Sequence, residues 1–423
     1  MPGVSTAQER AAGLPTAIAP RDETPAIRRA RSVLATTSAI HFVHDGFSDV
    51  IYLLLPVWAT QFGLTYGQVG LLRTVYSGGM AAFQIPAGIL AERWGEARLL
   101  AAGTAVTALG FLAAGLTGGF AALLACLVLG GLGSGVQHPL SSSLVSKAYE
   151  TGPRRMALGT YNFAGDLGKV AVPAAVAFIM PWVGWRGAVE GYAAVGLLAA
   201  ALLLLALMHL DVGHAAPAAP APAATRGLAG WGIVHPRAYV ALSAIHVIDN
   251  STRSAFLTLL PFLLIAKGST VRAVGLALML VFAGGAAGKF ACGALAERLG
   301  VIRTVVVTEA GTCAGILLLL TLPLAGCLAV LPLVGIALNG TSSVLYGTVA
   351  DLVASDRRAR SYAIFYTVGV SASASAPFAY GLVSDALGIP VTLGIIAVVV
   401  CLAIPLAAIL RAPLAALSAS ARI

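Results

Sequence analysis

The chain has 423 residues, 58% of them hydrophobic and 10% charged, with a formal net charge of +9. Its mean hydropathy of +0.90 excludes a water-soluble globular domain, a class in which about 25% of residues are charged. The positive balance follows membrane topology rather than nucleic acid, as the placement of the arginines and lysines shows.

Residues 1–32 hold Arg10, Arg21, Arg28, Arg29 and Arg31 without an apolar run ahead of a cleavage site. They read as a cytoplasmic tail and not as a signal peptide. About twelve apolar segments of roughly 20 residues follow, each long enough to cross a hydrocarbon core of ~30 Å. Their expected spans are 33–60, 69–91, 98–117, 119–146, 157–180 and 187–209, then 237–266, 272–296, 302–323, 326–352, 360–383 and 389–411. The runs are continuously apolar rather than alternating, which predicts helices and not barrel strands. The fold class is therefore an all-α membrane protein, with bundles at 33–209 and 237–411. A linker at 210–236 contains the Ala/Pro-rich stretch GHAAPAAPAPAATRG, which cannot span a bilayer. Residues 412–423 form a second tail.

With the first tail inside, the cytoplasmic segments take Arg93, Arg98, Lys147, Arg154, Arg155, Arg226, Arg237, Arg298, Arg303, Arg357, Arg358, Arg360, Arg411 and Arg422. The opposite side takes only Arg186, Lys267 and Arg272. This asymmetry puts both termini in the cytoplasm. Cys126, Cys292, Cys313, Cys327 and Cys401 all fall in apolar segments with no CxxC spacing, so no disulfide, zinc site or cofactor is expected.

The sequence repeats itself at an offset of 205 positions. AIH at 39–41 meets AIH at 244–246, LLP at 54–56 meets LLP at 259–261, and VGL at 69–71 meets VGL at 274–276. AER-x-G at 91–95 meets AER-x-G at 296–300. A parallel repeat of two six-helix halves is a transporter plan, with substrate near the midplane between the halves.

These features resemble the major facilitator superfamily, whose loop pattern after helix 2 is roughly G-x-L-A-D-R-x-G. Here the positions are Gly88, Leu90, Ala91, Glu92, Arg93 and Gly95, repeated as Gly293, Leu295, Ala296, Glu297, Arg298 and Gly300. The resemblance implies a gating role for Gly88, Glu92, Arg93, Gly95, Glu297 and Arg298. Glutamate replaces the family's aspartate in both copies. HF-x-x-D at 41–45, FGLT at 62–65, VGLL at 69–72, Q-x-P-x-G at 84–88 and GSGVQHP at 133–139 resemble the fosmidomycin-resistance efflux branch. That resemblance implies a bacterial-type inner-membrane pump driven by proton antiport.

Helical spacing gathers the polar groups. His41, His44, Asp45, Ser48, Asp49 and Tyr52 occupy an arc of about 140° on helix 1, opposite an aliphatic face. A 1.5 Å rise from residue 33 puts Asp45 about 18 Å deep, near the midplane. The arc is expected to face the cavity between the halves. Ionisable groups at that depth are costly and rarely idle. Asp45, His41 and Asp49 are the candidates for proton coupling. The repeat gives His41 a twin in His246, but Asp45 falls on Asn250. Asp45 is therefore the stronger proton candidate. An inward polar cluster that pins helix packing is the alternative, open above all to His44 and Ser48.

The candidate substrate contacts are Tyr52, Arg73, Gln137, His138, Asn162, Asp166, Lys169, His246, Asp249, Asn250, Arg253 and Lys289. Asp249 and Arg253 are four apart and can pair. Arg73, Lys169, Arg253 and Lys289 make a set of intramembrane cations that would attract an anion. Snorkelling of Arg73 and a local Lys169–Asp166 pair remain open. Gln137 and His138 sit beside Pro139 in a glycine-rich segment, where packing is the competing role.

These readings converge on a transporter, not an enzyme. No H-E-x-x-H or G-x-S-x-G signature lies in the helices. His41 and Asp45 have i, i+4 metal-ligand spacing, but a site would need other helices to converge on them. A non-transporting sensor is a further rival, without an appended signalling domain to support it. The expected protein is a proton-coupled, monomeric exporter of a small organic anion or zwitterion, with a symporter importing an organic anion as the alternative. Its partners are that small molecule, protons and the lipid bilayer, with no nucleic acid.

Overall fold

A computed structural model describes residues 25–151, 153–215, 233–349, 351–353 and 358–414. Of thirteen helices among the described residues, six carry the first half: α1 (Pro25–Phe62), α2 (Tyr66–Trp94), α3 (Glu96–Gly115), α4 (Phe120–Ser134), α5 (Gln137–Ala148) and α6 (Arg154–His209). The second half follows as α7 (Pro236–Ala266), α8 (Val271–Leu299), α9 (Val301–Thr321), α10 (Leu324–Val349), α11 (Arg358–Leu387), α12 (Ile389–Val400) and α13 (Ala403–Ile409). An isolated bridge between Ile233 and Val353 is the one strand-like pairing among the described residues.

The helices make twelve passes in two related halves. α4 and α5 together form the fourth pass, and α12 and α13 the last. α6 holds the fifth and sixth, turning at Gly184, whose φ of 70° lies in the left-handed region that glycine tolerates. Seven helical segments are long and apolar enough to cross a membrane by composition. α1, α2, α7 and α11 are long but diluted by the polar groups they carry.

The chain departs from the expected spans at several ends. α1 begins at Pro25, so Arg28, Arg29 and Arg31 lie on the helix rather than in a tail. Arg29 Nε donates to the Leu210 carbonyl at 2.6 Å, which ties this end of α1 to the end of α6. Residues 1–24, 216–232 and 415–423 lie outside the described residues, with most of the first tail, the linker and the last tail.

The sequence repeat reappears as repeated local chemistry. Thr65 caps α2 with a reciprocal box through Gln68, and its equivalent Thr270 caps α8 by accepting from Ala273 N at 3.2 Å. Gly95 and Gly300, the glycines of the two AER-x-G stretches, have φ of 85° and 83°. Each permits the sharp turn into the next helix. The glycine-rich run on α4 lets that helix touch its neighbours: a Cβ on Gly131 would stand 2.2 Å from the Tyr76 carbonyl oxygen of α2.

The halves meet along α2 with α11 and along α6 with α8, and the contact is tightest at the face opposite the chain ends. Asp385 on α11 accepts from Tyr66 N at 2.6 Å and Gly67 N at 2.8 Å, capping the first turn of α2 across the seam. One turn further in, a Cβ on Gly70 would lie 2.0 Å from the Pro377 carbonyl oxygen. At the other face Glu92, Arg93, Glu297 and Arg298 are exposed. The structure is thus closed at the opposite face and open towards the chain ends.

Gly70→Ala is expected to disfavour this closed arrangement, because backbone carbonyl oxygens cannot step aside cheaply. Spin-label distances across the α2–α11 seam should lengthen while helical content stays at the wild-type value. An unchanged distance distribution would count against the contact as the closing surface.

Candidate functional site

The polar stripe of α1 does not face an open cavity. His41, Asp45 and Asp49 are 2%, 5% and 6% exposed, with α6 packed directly on the first pair. The close approach depends on Gly165, where a Cβ would stand 2.6 Å from Asp45 Oδ2 and 2.7 Å from His41 Cε1. Gly165→Ala should therefore cost about 1–3 kcal/mol by overpacking, read as a fall in unfolding temperature. A wild-type midpoint would show that α6 can retreat.

His41 Nδ1 lies 2.9 Å from the Tyr161 carbonyl oxygen. That acceptor places the proton on Nδ1 and aims Nε2 at Asp45 Oδ2, 3.4 Å away. The imidazole stacks on the Tyr161 ring at 4.1 Å and meets His138 edge-on at 5.2 Å. Lys169 Nζ reaches the same Asp45 oxygen at 3.2 Å and Asp166 Oδ1 at 3.3 Å. Lys289 Nζ, from the other half, lies 2.7 Å from both Asp166 oxygens. Ionisable groups thus form an unbroken chain from His41 through Asp45, Lys169 and Asp166 to Lys289. Protonation at one link changes the charge its neighbour must balance.

Beside this chain, Arg73 is 8% exposed and so does not snorkel. Its Nη1 donates to the Ser48 carbonyl at 2.9 Å, its Nη2 is 4.0 Å from Asp49 Oδ1, and its guanidinium covers the Tyr52 ring at 4.4 Å. The Tyr52 ring also lies 6.5 Å from Phe282 of the second half, which places it at the seam. His44 serves packing: Nε2 contacts Thr104 Oγ1 at 2.9 Å and Nδ1 contacts Ser134 Oγ at 3.3 Å.

The second half mirrors the stack without the acid. His246 stacks on Phe365 at 4.1 Å. Asn250 Nδ2 donates to His246 Nδ1 at 2.8 Å, and Arg253 donates to Asn250 Oδ1. The expected Asp249–Arg253 pair is loose, at 4.0 Å, because the guanidinium is turned to the amide. Asn162 is exposed on α6, away from the cluster. Gln137 is buried, with Nε2 3.5 Å from the Tyr161 hydroxyl.

Each of the four intramembrane cations therefore has a carboxylate within 4.0 Å. None stands ready-made for an anion, and one would have to take a carboxylate's place. His41, Asp45 and His138 bring one ligand atom each within 4.8 Å of the others and could hold a metal. The Lys169 ammonium at the same Asp45 oxygen opposes a second cation there. Glu92, Arg93, Glu297 and Arg298, expected to act in gating, are exposed in the last turns of α2 and α8.

Four participants escaped the sequence reading. Tyr161 is an aromatic without a distinguishing pattern. Asp385 lies at a helix end, where charges are ordinary. Glu96 is buried at the end of the bundle with the chain termini, where it accepts from Ser143 Oγ at 2.5 Å and Lys147 Nζ at 2.9 Å. Glu309 had a visible signal: it is an acid inside an apolar span.

Twelve passes in two related halves, with buried ion pairs along the seam, define the plan of a two-bundle multi-pass membrane protein. The family model described as Major Facilitator Superfamily matches residues 37–248 and 242–421, and the chain belongs to that superfamily. It is 26% identical over 171 residues to the fosmidomycin resistance protein of Escherichia coli (strain K12), covering 40% of this chain and 42% of that one. It is 27% identical over 203 residues to the probable chloroplastic anion transporter 2 of Oryza sativa subsp. japonica, covering 47% and 36%. The chain thus spans under half the length of these curated relatives. Among solved structures, the fold is similar to a bacterial homolog of the human lysosomal transporter Spinster in its inward-facing, unoccupied conformation. There the TM-score is 0.69 at 17% identity, covering 95% of this chain and 98% of that one. It is also similar to a peptide transporter, POT, with TM-score 0.73 at 15% identity and coverage of 94% and 99%. The fold and the family make it a multi-pass membrane protein.

Proposed function

We propose that this transporter is a proton-coupled exporter of a small anionic or zwitterionic organic compound. It works as a monomer by alternating access in a bacterial-type inner membrane, with both termini cytoplasmic. The observation that carries the reading is the sharing of Asp45 between His41 and Lys169 at the head of an ion-pair chain that ends in the other half. While ionised, Asp45 accepts from a donor group of a zwitterionic substrate, whose anionic end takes Lys169; a proton on Asp45 cancels that acceptor, leaves Lys169 to Asp166 and expels the substrate. Proton and substrate thus exclude one another at one carboxylate, which is the linkage that antiport needs. The relatives support the substrate class: they include a fosmidomycin resistance protein, a probable sulfoacetate transporter and a probable anion transporter.

The test uses purified protein in liposomes that enclose a pH-sensitive dye. Fosmidomycin and a panel of small carboxylates, sulfonates and phosphonates are added on one side. Substrate movement should be accompanied by a dye response of opposite sense to symport. Transport without proton movement would overturn coupling, and proton movement with the substrate would establish the symporter instead. A divalent cation is the second reading, favoured only by the His41–Asp45–His138 cluster, and metal analysis of the purified protein decides it.

A further inference from the structure

Charge is not balanced evenly between the halves. In the first cluster three acids meet three cations: Asp45 with Lys169 at 3.2 Å, Asp49 with Arg73 at 4.0 Å, and Asp166 with Lys289 at 2.7 Å. In the second half, two acids share one cation. Asp249 is 2% exposed and Glu309 on α9 is 1% exposed. At the repeat offset of 205 they stand where the first half has His44 and Thr104, which touch at 2.9 Å, and Arg253 Nη1 is 4.0 Å from Asp249 Oδ2. Asp249 Oδ2 and Glu309 Oε1 both lack a hydrogen-bond partner.

Among the described residues, the neighbours of this pair add no further positive charge. On α7, His246 accepts at Nδ1 from Asn250 Nδ2 at 2.8 Å, so its ring is neutral. The amide cannot be flipped, because Asn250 Oδ1 already accepts from Arg253. On α8, the Lys289 ammonium is held by Asp166 of the other half. Tyr346 on α10 and Tyr366 on α11 stack on one another at 4.7 Å and are neutral phenols. Cys313 on α9 and Cys401 beyond α12 are free thiols and bring no cation.

An ionised pair of buried acids against one guanidinium would leave one charge uncompensated, at several kcal/mol.

We propose that Asp249 and Glu309 form a second proton-binding site, in the half that lacks the Asp45 acid, and hold one proton between them while the opposite face is closed. Glu309 is its resident carrier. This site is separate from the Asp45 coupling reading and stands without it.

Infrared spectroscopy of the purified protein in lipid nanodiscs, at neutral pH and without substrate, tests it directly. The wild type should show the carbonyl stretch of a buried protonated carboxylic acid. Glu309→Gln should remove that band, since Gln fills the same space and leaves Asp249 balanced by Arg253. Asp249→Asn should remove the same band, because Arg253 is then free to balance an ionised Glu309. Asp45→Asn should leave it in place. Two bands lost separately by the two variants, or a band indifferent to both, would overturn the shared proton. The two variants back each other up should either fold poorly. Because no gradient or substrate is used, failure here leaves the coupling role of Asp45 standing, and failure of that role leaves this result unaffected.

Discussion

Asp45→Asn protein, reconstituted under a pH gradient, is expected to lose proton-driven accumulation altogether while still exchanging substrate downhill. Each pH unit across the membrane is worth about 1.4 kcal/mol per proton, which sustains a concentration ratio of about ten. The variant should relax to a ratio of one. The fold should survive, because Lys169 keeps Asp166 at 3.3 Å and the asparagine preserves the shape beside Gly165. The measurement is tracer or dye accumulation at equal protein density, against counterflow without a gradient. A variant that still concentrates substrate tenfold per pH unit would remove Asp45 from the coupling path. A variant that also fails in counterflow would make Asp45 a substrate or packing residue instead.

Lys169→Met is expected to be the most destabilising change in the ion-pair chain, and Asp45→Asn should largely repair it. Removing one member of a buried pair strands the other charge, at a cost of roughly 3–5 kcal/mol when both are fully enclosed. The Lys169 side chain is 30% exposed, so water softens the loss to about 2 kcal/mol. Asp166 retains Lys289, so the stranded group is Asp45. Neutralising it in the double variant removes the cause, and unfolding midpoints in nanodiscs should show recovery of most of the loss. Strictly additive losses would mean that Lys169 and Asp45 do not depend on each other.

The architecture was legible because bilayer thickness and backbone hydrogen bonding leave few choices to a chain this apolar. The repeat then supplied the symmetry, and the face of α1 followed from 3.6-residue spacing alone. Spacing within a helix could not say which neighbour that face meets. That depends on where a partner is small enough to approach, and Gly165 is silent until α6 is placed. The ion pairs show the same limit. Asp249 and Arg253, joined by spacing, are barely in contact, whereas Asp166 and Lys289, 123 positions apart, make the closest pair at the seam. Arg73 could be read as a snorkelling end residue until Ser48 and Tyr52 were seen to receive it. Glu309 differs in kind. Its position in the apolar run VVVTEAG is plain, but a lone acid on α9 has no arc of polar partners on its own helix to mark a role.

The latch made by Asp385 gives the closed face an uneven edge. Its donors on α2 are main-chain amides, so along α2 only proline in place of Tyr66 or Gly67 would delete one, whereas the α11 partner can be removed by any neutral side chain. The repeat does not copy it. The position equivalent to Asp385 is Met180, and the matching end of the α6–α8 seam packs closely, with a Cβ on Gly275 falling 2.3 Å from Ala177 Cβ. One edge is fastened at this face by charge on a helix terminus; the other takes its charge pair deeper, where Lys289 meets Asp166 at 2.7 Å. Dissolved salt should loosen the exposed α2–α11 latch first and reach the more enclosed α6–α8 pair less.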